Sequence, residues 1–322
     1  MVLSNQSKGF LFALLSALFW GTNGSFIKIL SELGFRDITL VALQPTVLAL
    51  FFLISLLVSH PSAFLINWKF LLIMMVHGGV LLGGAIYCDV KAITLVPVGI
   101  VSIISFCHII LLMLVTRMVF GYKITKEKTG AALIALIGIS LTLEIYHLGS
   151  STLNWQGIIW AAIIPLEMSV AYTLIKFYLL RGIDYKTYIF YVNLFASLVF
   201  WYTAPPWKVA GETLALAAVH GPYFWLILFG FILIPLVGSY VLFAKAYQLI
   251  EPTYVSLMYS LDPITATVLG YFILHQSLSG MQLVGMLITL IPVAYIQYHE
   301  GKQNDITSIK GEKPDPGYSH IS

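Results

Sequence analysis

Charge is scarce in this chain. Asp, Glu, Lys and Arg make up 10% of its 322 residues, where soluble domains carry about a quarter. The shortage excludes a solvated globular surface of ordinary size, and the net charge of +3 is too small for a nucleic-acid partner. Cysteine is nearly absent: Cys88 and Cys107 are the only two, and neither has ligand spacing around it, so a disulfide framework and a thiolate metal site are both excluded as organising features. No Gly-x-x-x-x-Gly-Lys loop is present, which removes ATP as a direct energy source. Paired Asp, His-Glu-x-x-His and Gly-x-Ser-x-Gly arrangements are missing too, which weighs against an intramembrane protease or lipid transferase and leaves no enzyme chemistry or cofactor implied.

What fills the chain is apolar residue, 59% of the total, with mean hydropathy +0.91. A helix crossing a bilayer needs roughly 20 such residues. Apolar runs fall at 9–30, 38–59, 69–92, 97–118, 128–147, 154–178, 186–206, 221–246, 252–275 and 277–298, predicting ten transmembrane helices and a lipid bilayer as the surroundings. The first run lacks a small-residue cleavage site and is expected to be retained. The connections are short except at 207–220, where Pro205-Pro206 and Gly221-Pro222 bracket a longer one. Residues 301–322 are polar and expected to form a disordered cytoplasmic tail.

The chain repeats itself. Residues 9–28 and 157–176 each open on Gly and close on Ile-Lys, and Lys91-Ala92-Ile93-Thr94-Leu95 is answered by Lys245-Ala246-Tyr247-Gln248-Leu249. Five spans per copy is an odd number, so the second copy must be inverted. The predicted fold is therefore an all-α integral membrane protein of two inverted five-helix repeats, residues 1–148 and 149–300, the architecture typical of secondary transporters. With the N-terminus inside, thirteen of the 17 Lys and Arg fall inside and only Lys28, Arg36, Lys91 and Lys208 fall outside. That asymmetry predicts both termini in the cytoplasm. Lys28 and Lys91 then lie at the outer face and their mates Lys176 and Lys245 at the inner face. Each lysine alone also fits an interfacial side chain reaching for water; their pairing suggests gates.

Ionisable groups deep in a membrane are costly and lean towards function. Asp262 lies ten residues past Pro252 and His108 eleven past Pro97, about 15 Å into a helix and near the midplane. Both sit 17 residues after the Lys of their shared motif, so they are repeat mates, suited to a coupling proton or to the ends of a zwitterion. Glu167, two residues after Pro165, is a third candidate; a neutral acid bonded to a backbone carbonyl is its structural alternative. His77 precedes Gly78, Gly79, Gly83 and Gly84, where Gly79-x-x-x-Gly83 fits close helix packing. Trp20, Asn23, Tyr87, Tyr172, Tyr240, Tyr254 and Tyr259 supply aromatic and amide groups suited to a small organic solute. Pro45, Pro165, Pro235, Pro263 and Pro292 each free a backbone carbonyl within a span.

The run Phe19-Trp20-Gly21-Thr22-Asn23 with Lys28, and Ser260-Leu261-Asp262-Pro263 through Leu269-Gly270 to Gln282-Leu283-Val284-Gly285, resemble the EamA-type branch of the drug/metabolite transporter superfamily over about residues 9–298. The resemblance implies a central cavity, alternating access and export of small metabolites across a bacterial inner (plasma) membrane. Amino acids or similar amphiphilic solutes are the first expectation, with uniport or import on the same fold as the alternative. Many members carry an Arg on the second helix where this chain has Gln44, and a Glu after the fourth and ninth helices where it has Gly121-Tyr122 and His275-Gln276.

Overall fold

A computed structural model describes residues 4–59, 64, 66–93, 95–96, 98–147, 154–274 and 277–310; His275, Gln276 and residues 311–322 of the expected tail lie outside them. Among the described residues every regular element is helical. In chain order these are α1 (Asn5–Gly21), α2 (Asn23–Glu32), α3 (Asp37–Ser59), α4 (Trp68–Val76), α5 (Gly83–Ile93), α6 (Val98–Phe106), α7 (His108–Phe120) and α8 (Lys126–Thr142). The second half holds α9 (Trp155–Leu180), α10 (Tyr185–Phe200), α11 (Pro206–His220), α12 (Pro222–Phe231), α13 (Ser239–Leu249), α14 (Pro252–Met258), α15 (Asp262–Leu274) and α16 (Gly280–Lys310).

The helices begin where the sequence supplies caps. The side chains of Ser4, Asn67, Thr125, Asn154 and Asp184 each accept from a backbone N–H in the first turn of α1, α4, α8, α9 and α10, satisfying donors a helix start otherwise leaves open. Six stretches are long and apolar enough to cross a membrane: Asn5–Glu32, Asp37–Ser59, Trp68–Asp89, Ile100–Phe120, Trp155–Leu180 and Pro222–Leu249, with Gly280–Tyr295 a shorter apolar helix. The other expected spans are helical but short, α8 and α10 having 17 and 16 residues, or broken, as between α14 and α15.

Two segments differ from the sequence expectation. Residues 207–220 belong to a helix, α11, and not to an open connection. Pro206 occupies its first turn, where a missing N–H costs nothing, and Gly221 ends it at φ +62°; Pro and Gly here delimit a helix. The last helix continues to Lys310, ten residues into the segment expected to be disordered, because extending a helix already formed costs little per residue.

Helix breaks recur between the halves. A π-helical turn spans His77–Leu82 between α4 and α5, and another spans Ile232–Gly238 between α12 and α13. Lys91 and Lys245 lie 154 positions apart, and the same shift carries 77–82 onto 231–236. The interruption at Cys107 before α7 and the 3₁₀ turn Tyr259–Leu261 before α15 correspond under that shift too. Pro235 removes an N–H from the second π turn. In the first, a Cβ on Gly78 would stand 2.2 Å from the Val192 carbonyl oxygen, so α10 backbone lies directly on it.

The halves interlock. α1 packs along α13 and α5 along α9, while α3 packs on α10 and α8 on α16. At the α8–α16 crossing, a Cβ on Gly138 would meet Thr289 Oγ1 at 2.2 Å and one on Gly285 would meet the Thr142 nitrogen at 2.4 Å. The same Gly-x-x-x-Thr from each repeat thus grips its counterpart. α11 is held to the α2–α3 turn by Glu212, which accepts from the Arg36 N–H (2.7 Å), Arg36 Nε (2.8 Å) and Thr39 Oγ1 (2.8 Å). Burial opposes ionisation of Glu212, but the hydrogen bonds from Arg36 and Thr39 and the Arg36 charge outweigh it and hold the carboxyl below the usual carboxylate range.

Candidate functional site

A cavity of about 120 Å³ opens beside the first π turn, which contributes His77 and Leu82, and the 3₁₀ turn that carries Tyr259. The first repeat contributes Trp20 and His77; the second contributes Tyr172, Tyr240 and Tyr259, with Phe243, Ile175 and Val192 among the apolar walls. Five of the residues singled out in the sequence therefore line one space. The 3₁₀ turn aims Tyr259, whose hydroxyl is held by Ser16 Oγ (2.6 Å); Ser16 in turn donates to the Ser239 carbonyl oxygen (2.8 Å). Trp20 meets Tyr240 edge-on at 6.0 Å, and Tyr259 meets Phe243 likewise at 5.4 Å. The walls are thus aromatic rings locked against one another.

α10 adds Tyr185, Tyr188 and Asn193, which the sequence reading passed over. Their signal was available: 185, 188, 189, 192 and 193 follow the one-face helical spacing. His77 is 3% exposed, and the Tyr188 hydroxyl lies 3.3 Å from its Nδ1. Asn193 donates to the Ile189 carbonyl oxygen at 2.9 Å, which fixes its amide beside the cavity.

The charged candidates stand outside the lining. Asp262 heads α15 and is half-buried. It follows directly on the 3₁₀ turn that carries the lining residue Tyr259, and is itself not among the lining residues. His108, its repeat mate, is 2% exposed with both ring nitrogens engaged. Nδ1 lies 2.8 Å from the Ser105 carbonyl oxygen and Nε2 2.8 Å from Ser256 Oγ. A carbonyl only accepts, so a proton is on Nδ1, while Nε2 shares its hydrogen bond with the Ser256 hydroxyl. His108 ties the break before α7 to α14. Glu167 rests against α5, where a Cβ on Gly84 would be 2.8 Å from its Oε1; its Oε2 is buried without a hydrogen-bond partner among the described residues.

The remaining candidates scatter. Tyr87 is 53% exposed and packs edge-on against Trp160 at 5.8 Å. Gln44 and Asn23 are half-buried away from the cavity, and Asn23 Oδ1 finds no partner among the described residues. Lys28 and Lys91 are exposed. Lys245 lies over the Phe12 ring at 5.7 Å. Lys176 is 1% exposed and donates to the carbonyl oxygens of Tyr247 (2.6 Å) and Ile250 (3.2 Å), closing off the end of α13 as a cation does best at a helix C-terminus.

Helices long and apolar enough to cross a membrane, packed around a ring-lined cavity, mark a multi-pass membrane protein. The EamA-like transporter family matches residues 7–144 and again 155–297, and the chain belongs to that family. A solved structure titled only as the crystal structure of a protein superposes with TM-score 0.69 at 17% identity, over 89% of this chain and 96% of that one; this likeness speaks for the fold alone. No curated protein matches the chain.

Proposed function

We propose that the protein is a secondary active transporter that exports a small amphiphilic metabolite by alternating access across the plasma membrane, with ten crossings and both termini cytoplasmic. One observation carries the reading: the cavity is built jointly by both repeats, and the helix breaks around it recur at corresponding positions in each. Discontinuous helices at a repeat interface are where carriers bind their solutes and move.

Three polar ties fit the roles of gates. In the proposed orientation Lys128–Glu251 and the Lys176 cap lie on the cytoplasmic side, and Arg36–Glu212 lies outside. Asp262 is the group we assign to proton coupling, since His108 is occupied by its two hydrogen bonds. The test begins with a thermal-shift screen of detergent-purified protein against amino acids, polyamines, nucleosides, sugars and quaternary amines. A true ligand at 100 times its Kd adds about 2.7 kcal/mol. The hit is then followed as flux in proteoliposomes with and without a pH gradient. Gradient-driven flux that loses its pH dependence in Asp262→Asn supports the reading; pH-independent flux unaltered by that change sinks the coupling role.

A further inference from the structure

The chemistry of the cavity narrows its occupant, on the reading that this cavity is the transport site. Among the described residues, neither Lys nor Arg lines it. Lys176, one turn beyond Tyr172, is turned to the Tyr247 and Ile250 carbonyls. A carboxylate or phosphate placed among these rings would lose its water and meet no counter-charge. A free amino acid would suffer that at one end.

The opposite charge is better served. Aromatic faces attract cations, most strongly where water is excluded, and the walls present Trp20, Tyr172, Tyr240, Phe243 and Tyr259. Asp262 heads α15 directly after the 3₁₀ turn that carries Tyr259. Asp262 forms no ion pair among the described residues; the two ion pairs there are Arg36–Glu212 and Lys128–Glu251.

We propose that the cavity takes a small organic cation, a substituted ammonium whose charged end sits against the ring faces, with Asp262, the acid that follows the turn carrying Tyr259, as its counter-charge. The amphiphile of the transport reading is then a cation and not a zwitterion.

Three matched probes decide it on the full-length protein in detergent: choline, its uncharged carbon isostere 3,3-dimethylbutan-1-ol, and the anion 3,3-dimethylbutanoate, each titrated by calorimetry. Choline is expected to bind at least tenfold more tightly than the alcohol. Asp262→Asn should erase most of that margin while leaving the alcohol's affinity in place, and Tyr240→Ala should weaken choline. The comparison on the unaltered chain stands even where a variant misfolds. Equal or tighter binding of the alcohol or the anion, lost in Tyr240→Ala, overturns the cation assignment and keeps the cavity as the site. Choline binding untouched by Tyr240→Ala overturns the cavity reading, and with it this proposal. Failure of all three probes to bind overturns the cation assignment.

Discussion

The Lys128 ammonium sits between both carboxylate oxygens of Glu251, at 2.9 and 2.7 Å, and joins the start of α8 to the start of α14 across the two repeats. The side chains are only 8% and 17% exposed, and Lys128 also lies over the Tyr254 ring at 4.8 Å. Removing one partner of such a pair strands a charge with little water around it. Lys128→Ala is expected to destabilise the protein by about 3 kcal/mol, at the lower end of the range for buried pairs because some solvent remains. Lys128→Ala with Glu251→Gln should recover part of the loss. Thermal unfolding of the two singles and the double in detergent gives the coupling; strict additivity would mean that the pair does not hold the repeats together.

The α8–α16 crossing predicts a contrast between glycines on one helix. Gly138→Ala and Gly285→Ala each drive a methyl onto Thr289 or onto the Thr142 backbone, and should cost about 1–3 kcal/mol. Gly130, also on α8, has nothing within 4 Å of its would-be Cβ. Gly130→Ala should be neutral or stabilise by up to about 1 kcal/mol, as expected for Gly to Ala within a helix. Similar melting shifts at Gly130 and Gly138 would contradict the close crossing.

The hold of Glu212 on the α2–α3 turn should depend on pH. Its carboxyl is held below the usual range in the folded protein, so the stabilisation is fully present above the unfolded-state pKa of about 4.3. It is lost as pH falls through the lower folded value. Protection of the α11 amides, taken relative to their intrinsic exchange rates, should therefore fall in acid more than in the membrane helices, and Glu212→Gln should show the lower protection already at neutral pH. Exchange in the Gln variant matching the unaltered protein at pH 7 would rule out the tie.

How much of this was legible beforehand differs residue by residue. The correspondence of His108 and Asp262 could be counted from the lysine motifs, because a repeat preserves spacing even where residue type changes. That both fall at helix breaks was not visible, since a 3₁₀ or π turn leaves hydropathy untouched. Pro235 and the Gly78-Gly79 pair marked weak points in their helices without saying which deformation would result. Tyr188 and Asn193 escaped because attention to buried charge favours Asp and Glu over neutral polar groups on an apolar face. The repeat pairs Lys176 with Lys28, yet the Lys176 ammonium caps α13 while Lys28 is exposed; one sequence position serves two surroundings when the repeats are inverted.

His108 yields a prediction that separates a tie from a proton carrier. Ser256→Ala leaves Nε2 buried without its partner, which should cost about 1–3 kcal/mol. Flux in proteoliposomes should keep its pH profile, because the ring faces Ser105 and Ser256 and not the cavity. A shifted pH profile at unchanged stability would return His108 to the coupling machinery.

The interleaving of the halves bears on biosynthesis. When the ribosome has made the first repeat, α1 and α5 are in the bilayer while α13 and α9, the helices they pack against, are not yet translated. Membrane insertion thus runs ahead of tertiary assembly, and the early half spends the rest of translation with its packing faces turned to lipid. Neither half is then expected to be a folding unit by itself, and a chain cut between them should regain its structure only when both pieces are made in the same membrane.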